Sequence, residues 1–166
     1  MIPEDIRELM ALQAGSVGRA RSRDATAQLA RLGVAEGAQL SVFFAEFKAG
    51  GILARLGADE LLDPCQPTPQ LAGATDFATE VYDLTGGFVA LTSGEGEGFV
   101  LYELVSGGVY DVGVEEFVAL EAGHLSPRWE SFFEYLRWYL NPLGGDEDAD
   151  SDQSSRRSSR GGASTG

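Results

Sequence analysis

Cysteine is nearly absent: Cys65 stands alone in 166 residues, which excludes an internal disulfide framework. A single thiol fits a reducing compartment, so a cytoplasmic location is expected. Histidine is equally scarce. His124 is the only one, with no cysteine near it in sequence, and a zinc site lacks its ligand set. No apolar run approaches the ~20 residues that cross a bilayer. The start, MIPEDIRELMAL, lacks the basic patch and apolar core of a secretory leader. Lysine and arginine are missing altogether between residues 56 and 127, where thirteen Asp and Glu stand. Such a block repels nucleic acid and anionic membranes, and neither is expected as a direct partner.

The flanks differ. Residues 1–55 carry seven basic and six acidic side chains, and residues 128–166 carry five and seven, so the net charge of −14 sits almost wholly in the middle. A block of this kind attracts a basic partner. The alternative is a charge that serves only solubility. Apolar residues make up 43% of the chain, enough for one globular core without staples. After Asn141-Pro142 the chain turns to Gly, Ser, Asp and Arg. Residues 1–143 are therefore expected to form a single domain, and 144–166 a disordered tail. No internal repeat stands out.

The first third reads as helical. Pro3 suits the first helical position, with Glu4 and Asp5 in the positive first turn and Ile6, Leu9 and Met10 at helical spacing. A second helix is predicted over 24–32, stopping at Gly33. A third follows Gly37 with Leu40, Phe43, Phe44 and Phe47 on one stripe, ended by Gly50-Gly51. The phenylalanines are expected in the core. Residues 52–64 could be strand or helix. Thr68-Pro69 opens a short helix toward Ala78.

The period then changes to two. Runs at 80–84, 88–92, 99–105 and 109–112 are rich in Val, Phe, Tyr and Leu, and glycine-bearing turns separate them. They predict an antiparallel meander, with 99–105 as its central strand because both its faces are apolar. Residues 114–121 form a short helix or irregular chain. Ser126-Pro127 looks like a cap and first position of a last helix carrying Trp129, Phe132, Phe133, Leu136 and Leu140. The fold class is α+β: N-terminal helices, a central antiparallel β-meander and a C-terminal helix packed on the sheet.

Few residues suggest chemistry. Gly94-Glu95-Gly96-Glu97-Gly98 is no phosphate loop, because a strand is expected after it and two carboxylates repel an anion. It can present Glu95 and Glu97 to a cationic partner. Asp146, Asp148, Asp150 and Asp152 alternate like a calcium loop, but Ser151 and Arg157 fall where glycine and glutamate belong. A Cys65–His124 nucleophilic pair needs the two to meet in space, and a packed thiol with a loop imidazole is the simpler reading. With thirteen carboxylates in one stretch, no glycosidase pair is singled out. No catalytic residue, cofactor or metal is expected. The candidates for partner binding are Asp83, Glu95, Glu97, Glu103 and Asp111.

Several segments together resemble the SUKH superfamily, which groups bacterial immunity proteins, the Syd protein and a fungal cell-wall-synthesis regulator. Val42-Phe43-Phe44-Ala45-Glu46-Phe47 looks like its early helix, and Glu60-Leu61-Leu62-Asp63 its segment before the sheet. Residues 88–93, Gly96-Glu97-Gly98 and Val109-Tyr110-Asp111 resemble its strands, glycine-rich loop and hairpin return. Pro127-Arg128-Trp129, Ser131-Phe132 and Trp138-Tyr139-Leu140 are similar to its closing helix. The likeness runs over about residues 33–141, and the order of the motifs carries it. It implies a domain without catalysis. The expected function is that of an immunity protein neutralising a cognate, basic polymorphic or contact-dependent toxin domain such as a nuclease. The alternative is an intracellular regulatory or scaffolding module.

Overall fold

The computed structural model describes residues 1–65 and 70–142. The Thr68-Pro69 helix start, the aspartate alternation from Asp146 and the tail 144–166 lie outside them. Four helices come first: α1 (Glu4–Ala11), α2 (Ser22–Arg31), α3 (Gln39–Glu46) and α4 (Leu71–Tyr82). Strands β1 (Phe88–Ala90), β2 (Gly98–Glu103) and β3 (Val109–Gly113) follow. A 3₁₀ turn (Val114–Glu116) leads into α5 (Phe117–Glu121), and α6 (Phe132–Leu140) closes the order. The architecture is the expected α+β.

In α1 the stripe holds: Ile6 and Met10 are buried, and Pro3 sits just ahead of the helix with extended backbone rather than in its first turn. Arg137 of α6 donates to Asp5 and ties the two helices. The early end of α3 departs from expectation. Phe47 is already extended and bridges Gly18, so the helix stops before Gly50-Gly51. The partner strand segment decides this. Arg19 N–H donates to the Glu46 carbonyl at 2.8 Å and Lys48 N–H to that of Val17 at 2.7 Å. Phe43 and Phe44 remain core residues, with ring centroids 5.6 and 6.3 Å from Phe132. The ambiguous stretch 52–64 forms neither helix nor strand, yet it buries Leu61, Leu62 and Asp63.

The predicted strand at 80–84 is helix. Helix α4 runs on to Tyr82, and Asp83 closes it in the left-handed region at φ 55°. Ala74 and Ala78 supply its core stripe, and Tyr82 stacks on Phe117 at 4.9 Å, so packing overrides the β-propensity of Val81-Tyr82. The Thr75 hydroxyl accepts from Ala90 N–H at 3.0 Å, satisfying part of the outer edge of β1.

The meander has three strands in the order β1-β2-β3, both pairs antiparallel. The central strand buries Phe99, Val100, Leu101 and Tyr102 on both faces, as its composition implies. Alternation sends Phe99 toward α4 and α5, where it meets Phe77, Tyr82 and Phe117. Tyr102 points the other way, to Phe132 of α6 at 6.4 Å.

The last helix begins later than Ser126-Pro127 suggests. Trp129 is not on it. Its N–H and C=O pair with Val109 on the free edge of β3, at 3.1 and 2.9 Å. That pairing withholds the segment's backbone from a helix until Ser131, whose hydroxyl accepts from Glu134 N–H at 3.3 Å. The Trp129 side chain still packs on Tyr135 and Trp138 at 5.0 and 4.9 Å.

Candidate functional site

The acidic block converges where β2 begins and β3 ends. Gly98 pairs with Gly113 there. A Cβ on Gly98 would lie 2.2 Å from the Val112 carbonyl oxygen, so the close approach requires glycine. The preceding loop folds over the core: Gly94 has φ 70°, and a Cβ on it would enter the Phe99 ring. The Glu97 carbonyl accepts Val114 N–H at 3.2 Å and pins the base of the loop. Glu95 and Glu97 stay exposed.

Beside this junction opens a cleft of 510 Å³ walled by Asp59, Glu97, Asp111 and Glu115 on a glycine-rich floor. Glu97 and Asp111 are two of the five expected candidates. Asp59 and Glu115 are additions. Asp59 comes from the irregular stretch 52–64, and Glu115 from the turn after β3. No periodicity marks either one; only the charge block contains them.

The other candidates lie apart. Glu103 sits at the far end of β2, ~16 Å along the strand from Gly98. It shares a face with Phe99, whereas Asp111 is on the opposite face. Its carboxylate is engaged by the Ser106 hydroxyl and by Tyr110 Oη at 3.5 Å. Asp83 is exposed at the end of α4, outside the cleft.

Cations do reach the rim. Arg128, the first residue after the cation-free block, donates to Asp111 at 2.5 Å. Its guanidinium lies over Trp129 and Trp138 at 4.6 and 5.1 Å, and Arg55 approaches Trp138 at 5.1 Å. One carboxylate of the cleft is thus already paired, while Asp59, Glu97 and Glu115 enter no ion pair among the described residues. Behind the rim, burial pushes the Tyr135 phenol well above its ordinary range, and the charges of Asp59 and Asp111 add to the effect. Tyr135 is a neutral group at physiological pH.

No group of three His, Cys, Asp or Glu among the described residues could hold a metal ion. Cys65 is exposed beside Arg19 and Asp63, and burial of its sulfur raises the thiol pKa, which disfavours the thiolate. His124 is exposed beyond α5, its N–H on the Ala119 carbonyl. No helix among the described residues is long and apolar enough to cross a membrane.

No family model, curated protein or solved structure matches the chain.

Proposed function

We propose that this chain is a non-enzymatic immunity protein that binds and neutralises a basic toxin domain, such as a nuclease of a polymorphic or contact-dependent system. One observation carries the reading: Asp59, Glu97, Asp111 and Glu115 are gathered on one cleft inside a block of thirteen carboxylates without a Lys or Arg. A nuclease holds its substrate's phosphates with cations. A surface of fixed carboxylates on a glycine-rich platform can take the place of those phosphates and steer the encounter. The order of motifs that resembles the SUKH superfamily supports the same reading.

Association kinetics with the toxin domain encoded beside the gene test it, across a salt series. Neutralising the loop and the cleft wall, by Glu95→Gln with Glu97→Gln and by Glu115→Gln, is expected to slow association several-fold at low salt. The dissociation rate should change less, because exposed charges act mainly on encounter. A variant set that associates as fast as wild type removes the cleft from the interface. Absence of any complex with that domain ends the immunity reading.

A further inference from the structure

Helix α4 turns Leu71, Ala74 and Ala78 to the core. Along the margin of that stripe it carries Phe77 and Val81, four residues apart and therefore neighbours on one face. They are 43% and 53% exposed. Val118 on α5 is 81% exposed. The two helices are held together by the Tyr82–Phe117 stack and by the Glu121 carboxylate, which accepts from Thr85 N–H at 2.8 Å and from its hydroxyl. Phe77 also packs 6.2 Å from Phe99, whose ring lies against Gly94 of the acidic loop. An isolated exposed apolar side chain is ordinary, whereas several gathered on adjoining elements mark a contact surface.

The surroundings are anionic. Asp76 and Glu80 alternate with Phe77 and Val81 along the helix, Asp83 ends it, and Glu95 stands on the neighbouring loop. Among the described residues none of these four carboxylates is held in an ion pair or a side-chain hydrogen bond. We infer that the Phe77–Val81 face is the apolar centre of the partner interface, and that it receives an aliphatic or aromatic side chain ringed by Lys or Arg on a basic protein. The inference rests on the proposed basic partner and deepens it. Charge complementarity selects the occupant. Nucleic acid and anionic lipid would bring phosphates against these carboxylates, and a second copy would bring the same carboxylates. The water-excluded centre holds the complex, and the surrounding charges set the encounter.

Two helical peptides of equal positive charge separate these roles, one with Leu at i and i+4 among lysines, the other with Ser in place of Leu. Calorimetry gives their affinities, and NMR follows the Val81 and Val118 methyl groups. The Lys/Leu peptide is expected to saturate, to shift both methyls, and to lose about tenfold in affinity in Phe77→Ser. The Lys/Ser peptide should bind weakly and equally to both proteins. Val81→Ser provides the same comparison should Phe77→Ser not fold. Equal affinity for the two peptides, or an unaltered Lys/Leu affinity in the variants, overturns the α4 face and leaves the basic-partner reading standing. Failure of both peptides to bind at low salt overturns both. Wild-type self-association that Phe77→Ser abolishes assigns the face to a second copy and overturns the inference as well.

Discussion

Asp63 ties together three segments, two of which otherwise meet through the Gly18–Phe47 bridge. Its Oδ2 accepts from Arg19 at 2.6 Å and from Ala49 N–H at 2.8 Å, and its Oδ1 accepts from Cys65 N–H at 2.8 Å. The pair is buried on both sides, at 6% exposure for Arg19 and 2% for Asp63. Removing one partner of such a pair leaves a charge without compensation. Asp63→Ala is therefore expected to cost about 3–5 kcal/mol, read as a fall in the urea midpoint. A loss below about 1 kcal/mol would show that Arg19 finds solvent or another acceptor. A second buried polar group sets a limit at alkaline pH. The folded state raises the pKa of Tyr135, mainly through burial, above the unfolded value of about 10. Its contribution is fully present below that value and is lost as pH rises beyond it. Stability should fall more steeply above about pH 10 in wild type than in Tyr135→Phe, which keeps the ring contacts to Trp129 and Tyr139. Identical alkaline profiles would mean that the hydroxyl reaches water.

The element scale shows which signals are local. The central strand was legible because an apolar run between glycine-bearing turns can be buried on both faces in only a few ways. The stripes of α1 and α3 were legible for the same reason, since Ile6, Met10, Phe43 and Phe44 all reach the core. At 80–84 side-chain packing overrides local propensity, and the other two departures fall where a distant segment claims the backbone. Phe47 leaves α3 to bridge Gly18, and Trp129 leaves α6 to pair with Val109. Nothing in residues 126–131 signals that β3 has a free edge. The two serine caps separate the local from the distant account. Ser131 accepts the Glu134 N–H, so Ser131→Ala should cost about 1 kcal/mol. Ser126 is exposed and precedes chain that is not helical, so Ser126→Ala should stay within about 0.5 kcal/mol of wild type. The reverse ranking in denaturant titrations would return the helix start to Ser126-Pro127. The cleft follows the same rule. Glu97 and Asp111 were visible as members of the charge block. Their meeting with Asp59 and Glu115 depends on the Gly98–Gly113 register and on the irregular stretch 52–64, which no spacing reports.

At the scale of the whole molecule one charge distribution acts on two processes with opposite signs. Thirteen carboxylates without a Lys or Arg between residues 56 and 127 repel one another in the folded state. Only two of them enter ion pairs among the described residues, Asp63 with Arg19 and Asp111 with Arg128. The Debye length shortens from about 10 Å at 0.1 M salt to about 3 Å at 1 M. Screening removes repulsion between carboxylates spread over the cleft, the loop and α4, so the melting temperature of the free protein should rise with salt. The same screening would weaken the steering of the proposed basic partner, so association should slow over the same range. Apolar contact at the proposed Phe77–Val81 interface would not be screened, so dissociation should be nearly independent of salt. Sodium chloride and a neutral osmolyte of matched osmolality distinguish the field from general exclusion effects, because only the salt should change the association rate. A melting temperature indifferent to sodium chloride would mean that the carboxylates stand too far apart to repel in the fold. An association rate indifferent to it would mean that they do not face the partner, and the charge distribution would then serve solubility alone.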